Sequence, residues 1–241
     1  MHLTIHQPEH LPWLGFFEKV SQAEVLVLLD TVQYRHKYFQ NRNKIRSSNG
    51  TTWLNVPVLR KGNKQSPINE MEINNNALRW REKCWGSILL NYNKAVFFKK
   101  YSEFFKNAYE RNWNLLSDLN IFLLRHIIHS LNVKIKILKS SELRVAGVGE
   151  KLVLDICKEV GADVYISGIS GIGGQGRSFE SEFLKEGIKV VYQEFYHPIY
   201  KQQFEPFIPC MSIIDLLFNY GDKSLDVIKG IGVDKIDKFF E

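Results

Sequence analysis

Cysteine is scarce. The 241 residues hold three, Cys84, Cys157 and Cys210, far apart and with no C-x-x-C pair. Neither a disulfide framework nor a zinc knuckle is expected from that pattern. No His, Asp, Glu or Cys set has metal-ligand spacing, so no metal is expected. Long apolar runs are also missing. Val25–Leu29 is typical of the longest and falls far short of a bilayer, so no membrane span is expected. No basic start followed by an apolar core opens the chain, which gives no signal peptide and makes cytoplasmic residence the default. The signatures of several enzyme classes are absent as well: no G-x-S-x-G, no Gly-Lys-Ser/Thr of a P-loop, and no G-x-G-x-x-G at the first strand. There is no internal repeat and no low-complexity tract.

What is present has an ordinary globular balance, with 44% apolar and 24% charged residues. The net charge is +6, and many basic residues sit beside acidic ones, as in Arg79–Lys83 and Lys235–Lys238. They form no stripe and no recognition motif, so no nucleic acid partner is expected. An anionic small-molecule substrate suits the same excess.

Along the chain the pattern is α/β. Leu3–Ile5 reads as a buried strand that meets a loop at His6-Gln7-Pro8. Pro12 suits a first helical turn, and Trp13, Leu14, Phe16, Phe17 and Val20 follow at helical spacing. Val25–Leu29 is a continuous apolar strand of the parallel kind, which completes a βαβ unit. Trp53–Val58 reads as a third strand. Residues 77–131 carry three helical faces rich in aromatics and read as an all-helical insertion. Lys134–Leu138, Asp163–Ser167 and Ile188–Tyr192 read as strands. The helices Glu150–Val160 and Ser178–Lys185 stop at Gly161 and Gly187, and Ser212 caps a last long helix. The expectation is one α/β domain over 1–241, a mainly parallel sheet flanked by helices, with a helical subdomain at about 77–131.

Five groups of residues carry candidate chemistry. His6, Gln7 and His10 lie at the carboxyl end of the first strand, beside a helix N-terminus; there an imidazole serves acid–base work and backbone N–H groups serve anions. A histidine satisfied by its own turn is the alternative. Asp30, Gln33, Tyr34 and Arg35 follow the neighbouring strand, where Asp30 is placed to orient an imidazole. Asn41, Arg42, Asn43 and Lys44 read as a polar loop suited to phosphate or carboxylate. Ser167 and Gly168 open a glycine-rich loop to Gly176, followed by Arg177, with strand-then-helix context for a phosphate. His197, near Gln193, Tyr200 and Gln203, is a second candidate acid–base group. Among the thiols only Cys210, after Pro209 at a helix start, is placed for a helix dipole to lower its pKa.

Several of these runs resemble the WbqC-like family. They are His6-Gln-Pro-Glu-His-Leu-Pro-Trp-Leu-Gly-Phe-Phe-Glu-Lys-Val20, Leu29-Asp-Thr-Val-Gln-Tyr34, Asn41-Arg-Asn-Lys-Ile45 and Trp53-Leu-Asn-Val-Pro-Val58. Tyr165-Ile-Ser-Gly168, His197-Pro-Ile-Tyr-Lys-Gln202 and Ser212-Ile-Ile-Asp-Leu-Leu-Phe-Asn219 continue the match over nearly the whole chain. The resemblance adds Gln202 to the substrate-binding candidates. It implies work in bacterial surface-polysaccharide (O-antigen) pathways, near sugar-nucleotide or amino-sugar chemistry. One departure is the long run Gly171-Ile-Gly-Gly-Gln-Gly176, where the family has a shorter path to an aromatic segment.

A looser similarity in architecture is to nucleotidyltransferases with a histidine turn against ATP, although the His-x-Gly-His spacing is not met. Three readings stay open. The first is acyl or aminoacyl transfer to a nucleotide-linked amino sugar, with His6 as general base, Asp30 orienting it, Arg42 and Lys44 on phosphate, and an adenylate or acyl-carrier thioester as donor. The second is an ATP-using adenylate-forming enzyme. The third is a non-catalytic assembly protein. The implied partners are a small-molecule substrate such as a sugar nucleotide and, for the thioester route, an acyl carrier protein.

Overall fold

The computed structural model describes residues 1–59, 65–168 and 177–236, with 177 and 178 as backbone only. Strand β1 (His2–His6) leads through a turn to helix α1 (Leu14–Ser21) and β2 (Val25–Leu28). A hairpin follows, β3 (Arg42–Ser47) and β4 (Gly50–Asn55). Next come helices α2 (Trp80–Tyr92), α3 (Phe98–Glu110) and α4 (Leu116–Ser130), then β5 (Lys136–Lys139), α5 (Gly149–Val160), β6 (Val164–Ser167), α6 (Arg177–Lys185) and β7 (Lys189–Tyr192). The last elements are β8 (His197–Pro198), α7 (Ile213–Tyr220), α8 (Ser224–Ile228) and β9 (Lys235–Ile236).

The main sheet has five strands, all parallel, in the order β5-β2-β1-β6-β7. β2 is Val-Leu-Val-Leu and buried at every position, as a strand covered on both faces must be. Its side chains split by the two-residue period. Leu26 and Leu28 pack with Leu14, Phe16, Phe17 and Val20 of α1 and with the helical block. Val25 and Val27, together with Leu3 and Ile5, pack against Leu152 and Ile156 of α5 and Phe179 and Phe183 of α6. The sheet is thus covered on both faces, and helices α2–α4 enter between β2 and β5. Among the described residues no helix is long and apolar enough to cross a membrane.

The strand order reverses at β1. From β1 the chain winds outward to β2 and β5, then returns to β6 on the other side. The carboxyl ends of β1 and β6 therefore bound a topological switch point, the place where open parallel sheets hold their ligands.

The glycine stops are where the sequence puts them. Gly161 and Gly187 both have φ +75. The amides of Ala162 and Ile188 reach back to Cys157 and Phe183 carbonyls, each at 2.9 Å, which closes each helix in a Schellman turn. Three details differ from expectation. α1 starts at Leu14; Pro12 stands ahead of the extended N-cap Trp13, and its carbonyl is held by the Ile213 amide at 2.9 Å. Arg42–Ser47 is a strand rather than a polar loop. Its partner is the segment read as the third sheet strand, and the two form an antiparallel hairpin apart from the main sheet. The hairpin holds because Ile45 and Leu54 are buried while Arg42 and Lys44 alternate onto the other face.

Candidate functional site

His6 ends β1. Its ring meets Phe16 of α1 edge-on, with centroids 4.7 Å apart. Nδ1 lies 3.0 Å from the Gln7 carbonyl oxygen. That oxygen only accepts, so the hydrogen sits on Nδ1 and the lone pair on Nε2. Burial, with Lys19 nearby, pushes the imidazole down to about 3, so it is neutral at pH 7. Across the switch point Ser167 is buried; its carbonyl accepts from the Gln193 amide at 2.9 Å. Gly168 follows it. The rest of the glycine loop, 169–176, and the Arg177 side chain lie outside the described residues.

Around His6 the fold buries charge. Lys19 of α1 is 4% exposed and Glu9 6%. The Lys19 ammonium donates to the Ile5 carbonyl at 3.2 Å. Glu9 has no hydrogen bond or ion pair to any described residue. Desolvation raises its carboxyl to about 7, with Lys19 acting the other way. Desolvation lowers Lys19 to about 8, against the pull of Glu9 and Glu18. Glu18 takes bonds from the amides of Gln22 and Gln193, and the Gln193 amide also donates to the Gly15 carbonyl at 2.7 Å. Burying such groups is costly, and groups shifted toward neutrality from both sides gather where proton transfer is done. Sequence reasoning passed over Glu9, Glu18 and Lys19. The available signal was Lys19 itself, three residues after Phe16 and so on the apolar stripe of its helix.

The other residues of the turn are braces. His10 is fully buried; Nδ1 lies 3.1 Å from Asn120 Oδ1 and Nε2 2.9 Å from the Tyr109 hydroxyl. The Asn120 amide donates to the carbonyls of Pro8 at 3.0 Å and Gln40 at 2.7 Å. Gln40 donates to the Gln7 side chain at 2.6 Å. Asp30 does not reach His6. Its carboxylate accepts from Ser140 Oγ at 2.8 Å, the Ser141 amide at 2.9 Å and Ser141 Oγ at 2.7 Å, which fixes the turn after β5. The Tyr34 hydroxyl donates to Asn41 at 2.9 Å, and Asn41 donates to the Val56 carbonyl at 2.8 Å. Gln33 bridges to Pro67, and Asn43 donates to the Leu11 carbonyl at 2.8 Å. Arg42 and Lys44 lie over the Trp53 ring at 4.3 and 5.3 Å.

The C-terminal candidates gather elsewhere. His197 is buried, its Nε2 accepting from the Cys210 amide at 3.1 Å and its Nδ1 donating to the Pro198 carbonyl at 2.8 Å. Burial lowers its pKa. Gln202 spends its amide on Ile208 and Asp215. Asp215, fully buried, accepts from Tyr92 and Tyr200 hydroxyls at 2.8 Å and from Gln202 at 2.9 Å. Cys210 precedes α7 by several residues, and burial pushes its thiol up to about 11. The helix-dipole expectation for it fails because the thiol is desolvated.

Among the described residues no three His, Cys, Asp or Glu side chains converge on a metal position. Three surface cavities lie away from His6. One of about 330 Å³ is bounded by Trp53, Asn55, Trp80 and Lys83. One of about 540 Å³ is bounded by Tyr101, His126, His129 and Asp222. The third, about 340 Å³, is bounded by Arg144, Asp155 and Lys158.

Comparison with known proteins agrees over this whole span. The uncharacterized protein Rv1507c of Mycobacterium tuberculosis (strain ATCC 25618 / H37Rv) is 29% identical over 231 residues, covering 94% of this chain and 97% of that protein. No solved structure matches. The model of the WbqC-like protein family matches residues 7–227, and the chain belongs to that family.

Proposed function

We propose that the chain is a transferase of bacterial surface-glycan biosynthesis that places an acyl or aminoacyl group on the amine of a nucleotide-linked amino sugar. The carrying observation is His6: a neutral imidazole at the switch point whose Nε2 lone pair has no partner among the described residues. As the amine nitrogen bonds to the acyl carbonyl carbon, one N–H proton passes to Nε2. Collapse of the tetrahedral adduct then breaks the bond to the leaving group, which departs with its electron pair. An imidazole lowered to about 3 is a weak base by itself. Glu9, which shares the buried Lys19 with His6 and is raised to about 7, is the carboxyl of this turn whose pKa suits the working pH. The Gln7 carbonyl holds the tautomer, the task first given to Asp30. The donor is an acyl-carrier thioester or an adenylate made from ATP; the doubly wound strand order favours the nucleotide route.

The test is product formation, read by mass spectrometry, from a panel of nucleotide-linked amino sugars with each donor. His6→Ala and Glu9→Gln are each expected to lower kcat by about 100-fold or more, with circular dichroism and Tm close to the parent. Glu9→Gln should also remove the limb of the pH profile near 7. Full turnover in both variants would overturn the reading.

A further inference from the structure

The β3–β4 hairpin presents a second built surface. Its pleat puts Arg42 and Lys44 on one face, with Lys44 opposite Trp53 in the register, while Ile45 and Leu54 fill the core behind them. Beside that face stand three large rings in the open, Tyr38 at 42% exposure, Phe39 at 40% and Trp53 at 40%. They are contiguous: Tyr38 and Phe39 centroids are 5.8 Å apart and Phe39 and Trp53 6.3 Å.

Rings left in water by a flexible loop would need no explanation, but this turn is fixed. Lys37 holds a left-handed φ of +63, a conformation that costs energy outside glycine. The Arg42 guanidinium bonds its carbonyl at 2.6 Å, and the His10 amide bonds the Phe39 carbonyl at 3.0 Å. The Nε of Arg42 has no partner among the described residues. The cavity of about 330 Å³ is also bounded by Trp53 and adds Asn55 and Lys83.

Aromatic faces take any planar or sugar ring, and cations take an anion. Both together, within 4.3 and 5.3 Å of one indole, select a molecule that carries both. Three rings and two cations are also a small-molecule footprint, far fewer than the roughly 20–30 residues per partner of a standard protein interface. We propose that this hairpin is a seat for a nucleoside phosphate, the base stacking on Trp53 and Phe39 and the phosphates meeting Arg42 and Lys44. The seat adjoins the switch point, because Gln40 and Phe39 are bonded to Gln7 and His10. It rests on the preceding reading for its use, as the holder of the nucleotide part of a substrate, but its binding is measurable without turnover.

The experiment is calorimetric titration of the full chain with UDP, ADP and GDP, each against its nucleoside and against pyrophosphate. At least one diphosphate is expected to bind about tenfold more tightly than either fragment. Trp53→Ala should weaken it by about tenfold or more, and Arg42→Ala with Lys44→Ala should erase the advantage over the nucleoside. His6→Ala should leave the affinity within about twofold. Phe39→Leu serves as the second variant if Trp53→Ala lowers the melting temperature.

Binding unchanged in both ring variants overturns the seat, as does the absence of nucleotide binding at millimolar concentration. Loss in His6→Ala alone places the nucleotide at the switch point and also overturns it. So does a change of oligomeric state in Trp53→Ala with affinity unchanged, which makes the face an interface between copies. Nucleotide binding that needs Trp53, in a protein whose His6→Ala variant turns over normally, keeps the seat and removes the acyl-transfer reading.

Discussion

His6 and His10 sit four positions apart on one turn and have opposite surroundings. His10 is enclosed, with Asn120 on one nitrogen and Tyr109 on the other, and it joins the turn to the helical block. Burial lowers it to about 4, below the ordinary histidine value. The unfolded chain therefore takes up the proton first, so this stabilisation is whole above about pH 6.5 and is lost as pH falls toward 4. By pH 5 the loss attributable to His10 is about 2 kcal/mol. Glu9 acts in the opposite direction: its folded value of about 7 lies above the ordinary carboxylate, so its burial destabilises more as pH rises from 4.5 to 7. The comparison must therefore be made between variants. The drop in Tm from pH 7 to pH 5 should be smaller in His10→Gln than in the parent, and an equal drop would deny His10 this part. At pH 7 the same variant should be less stable by about 2 kcal/mol, since two buried partners lose well-aimed bonds.

At the scale of elements, helix ends were the most legible feature and the hairpin the least. Gly161, Gly187 and Gly221 follow apolar periodic segments and stop them with a positive φ. They are not equivalent. A Cβ at Gly161 or Gly187 meets open space, whereas one at Gly221 falls within 2.6 Å of Phe97 Cε1. Gly221 also has φ +55, and the backbone of Phe97 is held beside it by its amide's bond to the Phe218 carbonyl at 2.9 Å. Gly221→Ala should cost about 3 kcal/mol in urea unfolding, combining strain and clash. Gly161→Ala should cost about 1 kcal/mol, from the left-handed conformation alone. The hairpin escaped a reading by composition because Arg42, Lys44 and Arg46 look solvated. Yet Arg46 is 1% exposed and donates to the carbonyls of Gly50 at 2.6 Å and Pro206 at 2.9 Å. Pro206 lies 160 residues away in sequence, and no local pattern announces it.

At the scale of the molecule, Asp215 links elements that are distant in the chain: Tyr92 of α2, Tyr200 and Gln202 after β8, and α7 itself. Asp215→Asn turns one acceptor oxygen into a donor facing other donors and should destabilise the chain by about 3 kcal/mol. A double-mutant cycle on Tyr92→Phe and Tyr200→Phe should show coupling, since both bond one carboxylate; strict additivity would count against a shared hub. The sheet could be read in advance, because Leu3–Ile5, Val25–Leu29 and Asp163–Ser167 are apolar runs of strand length separated by helices; the strand order that makes the switch point could not. Glu9 could not, and Lys19 only by its place on the apolar stripe of α1, since the packing of α1 on β1 is what brings its ammonium to the Ile5 carbonyl. That packing has a consequence for how the protein is made. Thr4 and Ile166, bonded through Thr4 Oγ1 across the two walls of the switch point, are 162 residues apart. During translation β1 gains β2 at once and then waits for β6, with the hairpin, α2–α4, β5 and α5 made in between, its outer flank of backbone amides and carbonyls open to any passing strand. β1 is thus paired on both sides only once β6 is made, about two-thirds of the way along these 241 residues, and a chain stalled before β6 carries a sticky edge in place of a paired strand.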